Sequence, residues 1–159
     1  MLLRHGKSDW NTTYQGDRNR PLSRRGERAS ATMGLILRKM GEIPDRVVSS
    51  PAVRAEATAT IARLSGGWDS PLEIAEDLYG YGPEAALDVA ARCGRDAERL
   101  MLVGHEPAWS ELISELIGGG EVRFPTAAMA RINFDVDSWD RIRRDHGELA
   151  WLVKPKLFG

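Results

Sequence analysis

The chain has 159 residues, 42% hydrophobic and 28% charged, with a net charge of −1. These values are typical of one globular domain and exclude collagen-like, coiled-coil and disordered chains, and the balanced charge gives no sign of a nucleic-acid partner. The single cysteine, Cys93, excludes an intramolecular disulfide and a cysteine-based metal site. No apolar run approaches the ~20 residues of a membrane span, and Arg4 and His5 come too early for a signal peptide. We therefore expect a single domain over residues 1–159, located in the cytoplasm and without a membrane partner.

Short apolar runs alternate with helical patterns in the first half of the chain, which is typical of βα units. Met1–Leu3 is predicted to be a strand, and 23–40 a helix that Ser23 caps. Further strands are predicted at Arg46–Ser49 and Leu72–Ile74, with a helix between them that has Pro51 in its first turn.

The second half repeats this alternation. A helix is predicted from Pro83 to about Arg92, a central strand at Leu100–Val103, and a helix that Pro107 opens. Alternating patterns over 130–134 and 149–153 predict two later strands, one of them antiparallel. The fold class expected is α/β, a three-layer α/β/α sandwich with a mainly parallel sheet.

Chemically versatile residues follow three of the predicted strands. Arg4-His5-Gly6 follows the first strand, Ser49-Ser50-Pro51-Ala52-Val53-Arg54 the second, and Gly104-His105-Glu106-Pro107 the central one. Because parallel strands end at one edge of a sheet, where ligands bind, these residues are expected to converge. Arginine forks match phosphate oxygens, and a neutral imidazole is a nucleophile near pH 7. The pattern indicates phosphoryl chemistry on a histidine.

Other catalytic classes lack their motifs. The sequence has no G-x-S-x-G elbow of a serine hydrolase and no P-loop for a nucleoside triphosphate. Histidines beside arginines, without ligand spacing, do not favour a metal site. We therefore expect no cofactor and no metal.

Several blocks of the sequence resemble the histidine phosphatase superfamily, which includes the phosphoglycerate mutases. The first is Leu3-Arg4-His5-Gly6-Lys7-Ser8, with its RHG signature. The segments 17–26 (DRNRPLSRRG) and 49–59 (SSPAVRAEATA) are similar to D-x-x-R-P-L-[ST]-x-x-G and S-S-P-x-x-R-A-x-x-T of the SixA-like phosphohistidine phosphatase branch. Segments 103–107 and 125–130 match two later blocks, so the resemblance covers nearly the whole chain in order.

The resemblance implies a phosphoglycerate mutase-like fold and a role for each matching residue. His5 would be the nucleophile that forms a phosphohistidine intermediate, and Arg4, Arg54 and His105 would complete the phosphate pocket. Arg20 matches an arginine that the SixA-like branch adds, and Asn11 would touch the phosphate. The acidic proton donor of many superfamily members does not align clearly with this chain, and Glu76 and Asp77 are its candidates here.

The expected function is that of a phosphohydrolase, a SixA-like phosphatase of phosphohistidine in proteins. Two alternatives stay open. One is a mutase or a phosphatase of small phosphorylated metabolites at the same site, and the other is a phosphate-binding regulatory module without turnover. His146, in a polar stretch, and Trp109 are expected to serve as a solvated turn residue and a packing residue, respectively.

Overall fold

Six strands form one sheet in the computed structural model, which describes residues 1–159. The strands are β1 (Leu2–Arg4), β2 (Arg46–Ser49), β3 (Leu72–Ile74), β4 (Leu100–Gly104), β5 (Met129–Asn133) and β6 (Glu148–Val153). Their order across the sheet is β3-β2-β4-β1-β5-β6. The first four of these pair in parallel, whereas β5 is antiparallel to both of its neighbours. The predictions of a mainly parallel sheet and of one antiparallel later strand are confirmed.

Four helices cover the sheet: α1 (Arg24–Lys39), α2 (Val53–Gly66), α3 (Pro83–Cys93) and α4 (Ala108–Leu116). Ser23 caps α1 as predicted, and its hydroxyl accepts the Gly26 N–H at 3.2 Å. Pro51 lies outside α2 and not in its first turn, which corrects the sequence prediction. The reason is that Ala52 keeps an extended backbone, with φ −62° and ψ 131°, so the helix begins at the next residue.

The sheet buries a different set of side chains on each face, because successive residues of a strand point to opposite sides. Leu3, Met101 and Val103 pack with α1 and α2, in a cluster rich in alanine. Leu2 and Leu102 belong to the opposite cluster, which includes residues of α3 and α4. Two apolar layers therefore separate the helices from the sheet, which gives the expected α/β/α sandwich.

Three parallel strands end side by side. Arg4 is in register with Gly104, and Ser49 with Val103. The residues that follow β1 and β2 are still hydrogen-bonded to β4. The His5 N–H donates to the Gly104 carbonyl oxygen at 3.0 Å, and the Ser50 N–H donates to the Val103 carbonyl oxygen at 2.9 Å. The segments after β1, β2 and β4 thus begin at one edge of the sheet. None of the helices is long and apolar enough to cross a membrane.

Candidate active site

A pocket of about 540 Å³ lies at this edge of the sheet, and we call it the cationic pocket. Five side chains selected from the sequence line it: Arg4, His5, Arg20, Arg54 and His105. The rest of its lining is Lys7, Ser8, Trp10, Asp17, Tyr79, Gly80, Glu106 and Thr126. The structure therefore brings together residues that lie more than one hundred positions apart in the sequence, such as Arg4 and Thr126.

His5 is buried at the base of the pocket and is only 8% exposed. Its Nδ1 lies 2.7 Å from the Gly6 carbonyl oxygen. Because a carbonyl can only accept, Nδ1 carries the proton of the neutral ring, and Nε2 keeps its lone pair. Burial lowers the pKa of His5 to about 3 against the effect of the Gly6 hydrogen bond, and the charges of Arg54 and Arg4 lower it further. His5 is therefore a neutral imidazole with a free Nε2 near pH 7.

Gly6 allows the segment after β1 to pack closely against α1. A Cβ at this position would lie 2.8 Å from the Gly26 carbonyl oxygen, which is too close for van der Waals contact. The Gly6 N–H donates to Thr58 Oγ1 at 2.9 Å, and the Thr58 hydroxyl donates to the Arg54 carbonyl oxygen at 2.6 Å. These contacts fix His5 relative to the helix that carries Arg54.

His105 lies beside His5, with the two ring centroids 5.1 Å apart. Its Nε2 is 2.8 Å from the Ser50 hydroxyl, which also accepts the Ala52 N–H at 3.3 Å. Burial lowers the pKa of His105 to about 4, and the nearby charge of Arg54 contributes to the shift. Both imidazoles are thus neutral near pH 7, and an anion bound between them would raise both pKa values.

Two buried arginines converge on the carboxylate of Asp17. Arg54 is 5% exposed and Arg20 is 7% exposed. The Asp17 carboxylate accepts from Arg20 Nη2 at 2.6 Å and from Arg54 Nη2 at 2.9 Å. Partial burial raises the pKa of Asp17, but hydrogen bonds from Arg20, Arg54 and Tyr79 outweigh burial and hold it at about 2. Asp17 is therefore ionised, and it offsets part of the cost of burying two guanidinium groups.

Some donors of the cationic pocket have no partner in the protein. Arg4 Nη1 donates to the Phe124 carbonyl oxygen at 2.9 Å, but Arg4 Nε and Arg54 Nε are buried without a hydrogen-bond acceptor. Buried N–H groups of this kind normally have partners. An oxyanion in the pocket would supply acceptors to guanidinium groups, whose planar forks fit phosphate oxygens.

Trp10 and Ser8 both contact the guanidinium group of Arg20. The Arg20 guanidinium lies 3.6 Å from the centroid of the Trp10 ring, and its Nη1 donates to the Ser8 hydroxyl. Trp10 itself is 62% exposed, so its other face is open to solvent at the rim.

A second cavity of about 280 Å³ adjoins the first, and we call it the acidic cavity. The two share Gly80, His105 and Glu106 as lining residues. The charged side chains that line the acidic cavity are Asp77, Glu106 and Glu111. One oxygen of Glu106 accepts from the Ser110 N–H at 3.2 Å and the Ser110 hydroxyl at 2.7 Å, at the beginning of α4, where a carboxylate is favoured.

Three candidates from the sequence do not reach the cationic pocket. Asn11 is exposed and is not among the lining residues. Glu76 forms a two-fold ion pair with Arg18, at 2.7 and 2.9 Å, and Asp77 pairs with Arg92 at 2.7 Å beside the acidic cavity. The physical reason is that the 3₁₀ turn Glu76–Leu78 buries Leu78, which leaves both carboxylates partly exposed to solvent.

Several polar residues of the site were not selected from the sequence, among them four that form its hydrogen bonds: Asp17, Ser50, Thr58 and Tyr79. Asp17, Ser50 and Thr58 lie inside the blocks that resemble the family, so the blocks themselves carried the signal. Tyr79 lies outside them, and no local pattern marks it. It reaches the site through tertiary packing, where its hydroxyl donates to Asp17 at 3.0 Å and its ring meets His105 edge-on.

The geometry describes an α/β protein that can hold an oxyanion among arginines while a neutral histidine faces it. A profile of the histidine phosphatase superfamily (branch 1) matches residues 1–82. An uncharacterized protein of Mycobacterium tuberculosis is 34% identical over 138 residues, which cover 80% of this chain and 84% of that protein. The chain belongs to the histidine phosphatase superfamily.

Solved structures agree with this assignment at the level of the fold. The protein histidine phosphatase SixA, complexed with tungstate, superposes with a TM-score of 0.79 at 24% identity, over 99% of this chain and 97% of SixA. A phosphoserine phosphatase of Entamoeba histolytica, in complex with phosphoserine, superposes with a TM-score of 0.64 at 16% identity, over 95% and 94% of the two chains. The chain therefore has the SixA fold, as the motifs implied.

Proposed function

We propose that this protein is a phosphohydrolase that works through a phosphohistidine intermediate on His5, and that its substrate is phosphohistidine in a protein. The observation that carries the proposal is the state of His5. Its Nδ1 proton is held by the Gly6 carbonyl, which leaves Nε2 with its lone pair, and the neutral ring lines a pocket together with Arg4, Arg20 and Arg54. Such a site suits nucleophilic attack on an anionic phosphoryl group.

The reaction proceeds in two displacements at phosphorus. In the first, Nε2 of His5 forms a bond to phosphorus while the bond from phosphorus to the leaving atom breaks, and the leaving group takes the electron pair. In the second, water attacks phosphorus, the P–N bond breaks, its electron pair returns to Nε2, and orthophosphate leaves. The arginines stabilise the charge on the phosphoryl oxygens in both steps, which supplies most of the catalysis in phosphoryl transfer. This chemistry needs neither a metal nor a cofactor.

The preference for phosphohistidine is supported by the leaving-group side of the site. An alkoxide is a strong base and needs a positioned acid, whereas imidazole and aryl oxides need less help. Glu76 and Asp77, the sequence candidates for that acid, lie in ion pairs outside the cationic pocket. Glu106 does line the pocket, but one of its carboxylate oxygens accepts from the Ser110 N–H and hydroxyl at the beginning of α4. We therefore expect kcat/KM to be higher for phosphohistidine and aryl phosphates than for alkyl phosphates such as phosphoserine.

The alternative of a metabolite phosphatase or mutase is supported by the likeness of the fold to solved metabolite phosphatases such as phosphoserine phosphatase. The acidic cavity disfavours substrates with an anionic leaving group, because Glu106 and Glu111 would repel a carboxylate or a second phosphate on that group.

We further propose that residues 1–159 act as one histidine phosphatase domain, since the cationic pocket takes residues from β1, α2 and the segment after β4.

The proposal is tested by detecting the covalent phosphoenzyme. Wild-type protein, incubated with p-nitrophenyl phosphate or phosphohistidine peptide and quenched without acid, should show a one-phosphate adduct by intact-mass analysis. His5→Ala should show no adduct and no turnover while keeping its circular dichroism spectrum. His146→Ala, which removes an exposed histidine outside the cationic pocket, is the matched control and should behave as wild type. An adduct that persists in His5→Ala would reject His5 as the acceptor, and activity abolished by EDTA would reject the metal-free mechanism.

A further inference from the structure

Asp17 connects the two most buried guanidinium groups of the cationic pocket. One carboxylate oxygen accepts from Arg20 Nε at 3.2 Å and Nη2 at 2.6 Å. The other oxygen accepts from Arg54 Nη2 at 2.9 Å, and the Asp17 carbonyl oxygen accepts from Arg54 Nη1 at 2.7 Å. A residue that is half-exposed thus orders two side chains that are more than nine-tenths buried.

These contacts use one edge of each guanidinium group, and the remaining nitrogen of Arg20, Nη1, donates to the Ser8 hydroxyl. Asp17 takes the Nε/Nη2 edge of Arg20 and the Nη1/Nη2 edge of Arg54. The Nε–H of Arg54 is buried and has no hydrogen-bond acceptor in the protein. Because a planar fork makes paired hydrogen bonds along its edges, occupation of one edge fixes the direction in which the other points.

Asp17 also adjusts the charge of the pocket. Arg4, Arg20 and Arg54 place three cations in its lining, and Lys7 lies at its rim. Glu106 and Asp17 are the only acidic side chains in that lining, and Asp17 is the one in contact with the guanidinium groups. Without a counter-charge, such a site would bind the product orthophosphate more tightly, which slows a catalyst without helping the chemical step.

We propose that Asp17 is a positioning residue that orients the Arg20 and Arg54 forks toward the phosphoryl group and, through its charge, keeps orthophosphate from binding too tightly. This inference rests on the proposed phosphatase function. It gives Asp17 two separable effects, because orientation acts on turnover whereas charge acts on the affinity for every oxyanion.

Tyr79 also forms a hydrogen bond to Asp17. Its hydroxyl donates to the carboxylate at 3.0 Å, and it comes from the segment after β3, far from Asp17 in sequence. Tyr79→Phe removes this one hydrogen bond without changing any charge of the pocket. It should therefore disturb the orientation of Asp17 and leave the affinity for orthophosphate as it is.

The experiment measures two quantities on each variant: kcat with p-nitrophenyl phosphate, and the Kd of orthophosphate by calorimetry. Asp17→Asn keeps the size of the side chain and loses its charge, and we expect kcat to fall roughly tenfold or more while orthophosphate binds at least as tightly as to wild type. Tyr79→Phe should lower kcat by about twofold to fivefold with Kd unchanged. The matched control is Asp9→Asn, because Asp9 lies on the same segment but accepts from the Asn11 backbone N–H and does not line the pocket.

Each outcome decides the proposal. Loss of kcat with retained or tighter phosphate binding supports it, because a pocket that had merely come apart would lose both. Weaker orthophosphate binding in Asp17→Asn, or a kcat within twofold of wild type, overturns it. If Asp17→Asn does not fold, Tyr79→Phe carries the test, and an unchanged kcat there counts against the role of Asp17. If wild type turns over no phosphate ester or phosphohistidine, the proposed function fails, while the Kd comparison still tests Asp17.

Discussion

The cationic pocket and the acidic cavity share a wall and differ in almost everything else. The first gathers Arg4, Arg20 and Arg54 beneath the ends of the parallel strands, whereas the second is lined by carboxylates and no basic side chain other than His105. His105 and Glu106 lie on the common wall, so one strand end, that of β4, serves both regions.

This difference in charge indicates that the two regions would bind different parts of a phosphorylated substrate. The phosphoryl group carries the negative charge and fits the region of fixed cations, where the field is strongest because the side chains are buried. The leaving group would extend into the acidic cavity, where an anion is repelled and a cation is tolerated. The two regions can be disturbed separately, since the three arginines line only the cationic pocket, whereas Asp77 and Glu111 line only the acidic cavity.

The largest effect is expected from removing a cation of the pocket. Arg54→Ala should lower kcat about 100-fold, since loss of one donor to the developing charge commonly costs ~3 kcal/mol. Arg20→Ala should cost less, because Nε, Nη1 and Nη2 of Arg20 already donate to Asp17 and Ser8, whereas Nε of Arg54 has no acceptor in the protein. Lysine at either position should restore only part of the activity, because it lacks the planar fork.

Steady-state kinetics with p-nitrophenyl phosphate measures these arginine variants, and Arg28→Ala, on the exposed face of α1, is the matched control. Full activity in Arg54→Ala would show that the pocket is not where turnover occurs. A larger loss in Arg20→Ala than in Arg54→Ala would reverse the ranking of the two cations.

The next effect is on the stability of the fold and is expected from acid, which charges the imidazoles of the cationic pocket. Burial lowers the pKa of His5 to about 3 and that of His105 to about 4, whereas an unfolded histidine titrates near 6.5. Above pH 6.5 both histidines are neutral in the folded and the unfolded state, and the free energy of unfolding is not reduced. As the pH falls from 6.5 toward the folded pKa values, only the unfolded histidines bind protons, and the free energy of unfolding decreases. At pH 5 the loss should be about 2 kcal/mol for each histidine.

Thermal denaturation between pH 7 and pH 4.5 measures this loss. His5→Ala should flatten the dependence, whereas His146→Ala, at an exposed site, should not. The same pKa values predict that protonation of His5 does not lower kcat/KM near pH 6.5. If NMR showed the His5 ring titrating near pH 6.5, the proposal of a neutral His5 nucleophile would be wrong.

The smallest effect is expected in the acidic cavity. An aryl phosphate that carries an ammonium group should have a higher kcat/KM than one of similar size that carries a carboxylate, by roughly threefold to tenfold at low salt. Glu111→Gln should narrow that ratio, and Glu148→Gln, an exposed carboxylate on β6 outside both cavities, should leave it as in wild type. A preference for the anionic ester would show that the leaving group does not enter the acidic cavity.

Local patterns in the sequence were sufficient for the elements of the fold. The buried run Leu100–Val103 became the central strand β4, and the alternation over 149–153 became β6 (Glu148–Val153), because each pattern reports which side chains must leave water. The start of α2 was missed by two residues, since the proline pattern does not reveal that Ala52 stays extended.

The convergence of Arg4, His5, Arg54 and His105 could also be predicted, because each follows the end of a strand or lies within a block that resembles the family. Tertiary structure alone decided the rest. It placed Glu76 and Asp77 in ion pairs outside the cationic pocket, and it brought Tyr79 to the carboxylate of Asp17. A sequence pattern specifies which face of an element is buried, but the direction of a polar side chain depends on partners that come from distant elements.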